Sequence, residues 1–136
     1  SVVANAKILA ETLKNNGFKI YSGGTDSHLM LVDLRPFNVK GNVAAESLSK
    51  ANITCNKNGI PFDTESPMIT SGIRLGSQAA TTRGFGLKEF QKVGELITET
   101  VKGLSSNSDD NTKIEEKVRK EVIELCSAFP IYNHLK

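Results

Sequence analysis

The stretch Thr70 to Phe85, TSGIRLGSQAATTRGF, governs how the chain is read, together with its companion Ile53 to Asp63, ITCNKNGIPFD. In TSGIRLGS, apolar residues alternate with glycine and arginine. An extended chain turns successive side chains to opposite faces. Ser71, Ile73 and Leu75 therefore take one face, and Gly72, Arg74 and Gly76 the other. Arg74 is expected on a face that both strand neighbours leave bare. A guanidinium placed so can lie against an open pocket and offer its fork of donors to a carboxylate or phosphate. The same spacing also fits an exposed arginine on an edge strand.

In the companion stretch, Asn56, Lys57 and Asn58 run into Gly59 and Pro61 and read as a turn. Its side-chain amides donate and accept at once, as the edge of a heterocycle demands; ordinary Asn-Gly turn chemistry accounts for it equally. Two weaker sets lie nearby. Asp26 and His28, two residues apart at a strand start, could form a general-base pair, or be a solvated aspartate and a hydrogen-bonded histidine. Thr81, Thr82 and Arg83 before Gly84 could bind an anion near a helix start, or serve as caps. No Ser/His/Asp order, phosphate-loop motif or carboxylate cluster is present.

Outward from these runs, Val2, Ala6, Leu9 and Leu13 recur at helical spacing. Gly17 is expected at the left-handed position that ends this helix, with Phe18 folding back on the last turn. Lys19 to Tyr21 reads as a short strand. His28 to Leu34 (HLMLVDL) reads as a strand buried on both faces, stopped by Pro36. A short helix is expected over Asn42 to Ala51 and a strand over Ile53 to Asn56. Leu87, Phe90, Val93, Ile97 and Val101 mark a long helix stopped by Gly103 and Leu104. Thr112-Lys-Ile-Glu115 has the form of a capping box. Ile114, Val118, Val122, Leu125, Cys126 and Phe129 carry the last helix to Pro130.

The chain has 136 residues, enough for one domain over 1–136. Its net charge is +2, and no basic cluster exceeds two adjacent residues, which argues against nucleic acid. No apolar run approaches the roughly 20 residues that cross a bilayer. The N-terminus lacks a secretory pattern, so a cytoplasmic location is expected. Cys55 and Cys126 are expected as reduced thiols, and the isolated His28 and His134 imply no metal site. The start without Met, directly in helical pattern, suggests a fragment.

The order helix, two strands, helix, two short strands, two helices predicts an α+β domain. A small, mostly antiparallel sheet would carry its helices on one face, leaving the run 29–32 partly open on the other. An uncovered apolar surface usually meets a partner.

SGGTDSHLMLVDLRP at 22–36, ANITCNKNGIPFD at 51–63 and SPMITSGIRLGSQAATTRGF at 66–85 closely resemble, in that order, the C-terminal part of serine hydroxymethyltransferase. The flanking helices extend the resemblance over essentially the whole chain. It implies the C-terminal small domain of a fold-type I enzyme, similar to the aspartate aminotransferases. Such an enzyme uses pyridoxal phosphate to interconvert serine and glycine, passing a one-carbon unit to or from tetrahydrofolate. It implies that Arg74 binds the substrate carboxylate and Asn58 the pterin ring, in a cytoplasmic homodimer. The family's cofactor lysine, in a T-H-K-T segment upstream, has no counterpart here. The catalytic residues and the cofactor domain are thus expected outside this chain, which alone should be inactive. A free-standing amino-acid or folate binding module and a structural dimerisation domain are the alternatives.

Overall fold

The computed structural model describes residues 2–22, 29–53, 55–76, 87–106 and 110–127. Asp26, His28, Thr81, Thr82, Arg83, Phe129, Pro130 and His134 lie outside them, as does the side chain of Cys126. Four helices are described: α1 (Val2–Asn15), α2 (Gly41–Lys50), α3 (Leu87–Ser106) and α4 (Thr112–Ser127). The strands β1 (Lys19–Ser22), β2 (Leu29–Asp33), β3 (Asn56–Asn58) and β4 (Gly72–Gly76) form one sheet in the order β1-β2-β4-β3. All three pairings are antiparallel. The fold is α+β, as expected.

Alternation along β4 is borne out. Ile73 and Leu75 are buried against the helices, together with Val32 of β2, whereas Arg74 is exposed. Leu9 and Leu13 of α1 and Leu48 of α2 share one core with that face; Leu96, Ile97 and Val101 of α3 join the same core, as do Val118 and Val122 of α4, which packs on α2 and α3. The opposite face keeps Leu31 and Tyr21 only half-buried. Burial on both faces, expected for the apolar run, therefore does not hold at Leu31: β2 lies in a sheet covered on one side.

Helix ends show where local sequence decides. Gly17 has φ 106°, and its N–H donates to Lys14 O at 3.1 Å while the Phe18 N–H donates to Leu13 O at 3.0 Å. This double closure satisfies carbonyls that the helix leaves without partners. The Phe18 ring then sits 4.5 Å from that of Phe37. The same device closes α2: Asn52 takes φ 72°, and the Ile53 N–H donates to Leu48 O at 2.8 Å.

Ile53 is thus a helix closure and not the start of a strand. Pairing begins at Asn56, and the NKN run read as a turn is β3 itself. Hydrogen bonding to β4 prevails over the local turn signal, and the turn starts at Gly59.

Gly103 does not stop α3, which continues to Ser106. A Cβ on Gly103 would lie 2.3 Å from Asn111 Oδ1 and 2.4 Å from Ile114 Cδ1. The glycine is there for close approach to the start of α4. The capping box is also absent. Asp110 Oδ1 accepts from the Thr112 N–H at 3.1 Å, while Glu115 accepts from Ser47 Oγ on α2. The glutamate is drawn to a tertiary partner.

Candidate functional site

Arg74 lies on an interior strand, between β2 and β3, and not on an edge. Register sets Leu31 on one side of it and Asn56 on the other. Asn58, two residues beyond Asn56, pairs with Gly72. Since cross-strand partners share a face and so do residues two apart, Arg74, Asn56, Gly72 and Asn58 all belong to the open face. The two residues singled out in the sequence thus come together as diagonal neighbours. Asn58 is half-buried and its Nδ2 donates to Gly59 O at 2.9 Å, which fixes the amide.

The bare floor expected around Arg74 is partly filled. A Cβ on Gly72 would stand 2.7 Å from Ile60 Cγ2 and 2.8 Å from Val32 O. Glycine at 72 makes room for Ile60, which is buried and follows Asn58 and Gly59.

The segment between β3 and β4 is tied down by one carboxylate. Asp63 accepts from the N–H of Ser71 at 2.8 Å, the hydroxyl of Ser71 at 2.8 Å, the N–H of Glu65 at 2.8 Å and the N–H of Ile60 at 3.2 Å. Desolvation raises its pKa, but these bonds, led by that from Glu65, outweigh it and hold the acid at about 2. Thr70 beside Ser71 takes φ 62°, an uncommon conformation for a β-branched residue. Its hydroxyl donates to Gly72 O at 3.0 Å, and its carbonyl accepts from the Gly41 N–H at 3.0 Å. The start of α2 is thereby fastened to the start of β4. Neither Asp63 nor Thr70 stood out in the sequence. An aspartate near Gly and Pro reads as a solvated turn residue, and its donors at Ile60 and Ser71 are identifiable only once the segment has folded back.

At the C-terminal end of β2, opposite Gly72, Asp33 is 1% exposed and pairs with Arg35, whose Nη2 lies 2.7 Å from Asp33 Oδ2. Hydrogen bonding to Asp33 raises the Arg35 pKa. This arginine is committed to a neighbour, whereas Arg74 is exposed on the open face. Cys55, before β3, is half-buried, and burial pushes its thiol up to about 12.

A cavity of about 520 Å³ borders the edge of β3, lined by residues that include Asn42, Cys55, Asn56 and Lys57. A larger one of about 890 Å³, lined by residues that include Asn16, Thr98, Lys102 and Asn111, lies beside α3 and the start of α4. It includes neither Arg74 nor Asn58, so size does not mark the candidate site. Among the described residues, no group of three or more His, Cys, Asp or Glu side chains could hold a metal ion. No described helix is long and apolar enough to cross a membrane.

Residues 1–97 match the family model for serine hydroxymethyltransferase. The chain is 84% identical over all 136 residues to the serine hydroxymethyltransferase of Pelagibacter ubique strain HTCC1062, of which it covers 31%. It is 61% identical over 131 residues to that of Marinomonas sp. strain MWYL1 and 62% identical over 131 residues to that of Paramagnetospirillum magneticum. In those two pairs the match covers 96% of this chain and 31% of the relative. The chain therefore spans about a third of the length of the relatives it matches. The motifs around Arg74 and Asn58, the α+β fold and a family match over most of the sequence agree, and the chain belongs to the serine hydroxymethyltransferase family.

Proposed function

We propose that this chain is the C-terminal small domain of a serine hydroxymethyltransferase, which interconverts serine and glycine with tetrahydrofolate as the one-carbon carrier. The supporting observation is the register that sets Arg74 and Asn58 on one open face of adjacent strands. Arg74 binds the carboxylate of serine or glycine through its planar fork of donors. Asn58, with its amide held by Gly59, offers donor and acceptor groups to the pterin ring. The sheet behind them is packed on its helix side, so both groups stand on a rigid support. The working enzyme is a cytoplasmic homodimer.

Pyridoxal phosphate supplies the carbanion chemistry of this reaction. The described residues of this chain do not fit as its seat. Lys19 is the lysine that strand register sets on the open face, and its ammonium lies over the Tyr21 ring, 5.2 Å from the centroid. Lys57 is paired with Ile73, on the register of the helix-covered face. The cofactor and its lysine belong to the part of the enzyme outside these 136 residues.

Replacing the matching segment of the Pelagibacter ubique relative with this chain tests the reading. The chimera should convert serine to glycine with tetrahydrofolate, and the 136-residue chain alone should not. A folded chimera that binds pyridoxal phosphate but does not turn over would refute it.

A further inference from the structure

The geometry points to Asp63 as the residue that positions both binding groups, by fastening the end of β3 to the start of β4. This rests on the roles proposed for Arg74 and Asn58. From the β3 side, Asp63 accepts the N–H of Ile60, two residues after Asn58, at 3.2 Å. From the β4 side, it accepts both the N–H and the hydroxyl of Ser71, three residues before Arg74, each at 2.8 Å. Its fourth bond, from the Glu65 N–H at 2.8 Å, closes its own turn.

Three donors from two separated chain segments therefore converge on one side chain. The β3–β4 ladder is short, since β3 has only three residues. Its register fixes the diagonal spacing between Asn58 and Arg74. A ladder so short gives little resistance to sliding or fraying. The carboxylate adds a clamp at the end nearest Asn58. Ile60, buried over Gly72, is the apolar half of the same clamp.

Asp63 need not touch either substrate to set their geometry. Because it holds both groups, its loss should act on two substrates that otherwise depend on different residues. Arg74→Lys should weaken serine alone, and Asn58→Ala the folate alone. Asp63→Asn keeps one acceptor oxygen and turns the other into an NH2 donor, which must face either the N–H of Glu65 or those of Ile60 and Ser71. Misplacement of binding groups by about 1 Å can cost up to ~100-fold, so a roughly tenfold loss is expected for each substrate.

The test uses the full-length enzyme carrying this segment. KM for serine, KM for tetrahydrofolate, kcat and the thermal midpoint are measured for Asp63→Asn, Asp63→Glu, Ser71→Ala, Arg74→Lys and Asn58→Ala. Asp63→Asn should raise both KM values roughly tenfold, with kcat within about twofold for the folded enzyme. Asp63→Glu should recover part of both. Ser71→Ala, which removes a single bond, should move both in the same direction by less, and it carries the test should Asp63→Asn fail to fold. Wild-type KM values for both substrates in Asp63→Asn, or in Ser71→Ala where that variant stands in, overturn the inference, whatever happens to the midpoint. A rise for one substrate only also overturns it. If Arg74→Lys and Asn58→Ala are themselves silent, the functional reading fails and takes this inference with it. If they respond and the clamp variants do not, the inference alone fails.

Discussion

Asn56 of β3 is paired in register with Arg74 of β4, so an amide and a guanidinium stand side by side on the open face of the sheet. Nothing on that strand crowds the arginine, because the residue two before it is glycine. Arg74→Lys keeps the charge and loses the planar fork. Breaking a buried, hydrogen-bonded charge pair costs about 2–5 kcal/mol, and the retained ammonium puts this change near the lower end. In the full-length enzyme, the apparent affinity for serine should fall by roughly 30-fold, since about 1.4 kcal/mol is a factor of ten. Titration by cofactor absorbance should show pyridoxal phosphate binding unchanged. Unaltered serine affinity would refute the role of Arg74.

The strand around Arg74 was legible in the sequence because alternation is local: Ile73 and Leu75 against Gly72 and Arg74 need no knowledge of the rest of the chain. The end of α1 at Gly17 and Phe18 was legible for the same reason. Elsewhere, a distant partner overrode a local signal. Asn-Lys-Asn before Gly59 carries turn chemistry, yet β4 supplies a ladder that turns it into strand. Gly103 looks like a helix stop, yet α3 continues past it because Asn111 and Ile114 need the space. Asp63 has no periodicity to betray it, and beyond Glu65 in its own turn its donors lie three and eight residues away. Of the candidate site, the placement of Arg74 opposite the buried face was legible, and the hydrogen bonds that gather at Asp63 were not.

Gly72 is a packing glycine. A methyl there would stand 2.7 Å from Ile60 Cγ2, 2.8 Å from Val32 O and 3.1 Å from Asn58 O. Two of those neighbours are backbone carbonyls in the sheet and cannot yield without loss of pairing. Gly72→Ala should destabilise the domain by about 1–3 kcal/mol, the usual cost of overpacking. Thermal unfolding of the chain should show a midpoint lower by roughly 2–4 °C for each kcal/mol. A midpoint equal to wild type would mean that Ile60 moves freely and is no part of the site.

Asp63 also makes a pH signature. Its folded pKa is about 2, against about 3.9 for an unperturbed aspartate. A carboxylate depressed on folding contributes stability that is fully present above its unfolded pKa and is lost as pH falls through its folded one. Asp63→Asn should therefore be least stable relative to wild type at neutral pH, with the gap narrowing between about pH 4 and pH 2. Denaturant titrations across that range measure the gap. A gap that stays constant down to pH 2 would show that the bonds to Ser71, Ile60 and Glu65 do not discriminate the ionised form.

Helix propensity and packing make opposite predictions at Gly103. In an exposed helix, alanine would gain about 1 kcal/mol over glycine. Here its methyl would lie 2.3 Å from Asn111 Oδ1. Asn111 cannot swing aside, because its Nδ2 donates to Ser47 Oγ at 2.9 Å and Thr100 O at 3.1 Å. Overpacking of about 1–3 kcal/mol should prevail, and Gly103→Ala should be less stable than wild type in chemical denaturation. A more stable variant would mean that the start of α4 relaxes away from α3.

Cys55 provides a probe of packing at the edge of the sheet. Its side chain is half-buried against the core, and burial raises its thiol to about 12. The thiolate is the reacting species, so at pH 8 the reactive fraction falls by more than about a thousandfold against an ordinary thiol of pKa near 8.5. A more basic thiolate is a better nucleophile by about 0.4–0.5 log units per pKa unit, which recovers part of that loss. With Cys126 replaced by serine, Cys55 in the folded chain should react with a disulfide reagent roughly a hundredfold more slowly than a model thiol. Denaturant should restore the ordinary rate. A fast reaction in the native state would mean that the segment joining α2 to β3 opens readily. Opening there would loosen the strand that carries Asn58 beside Arg74, and the site would be less rigid than the hydrogen bonds of Asp63 imply.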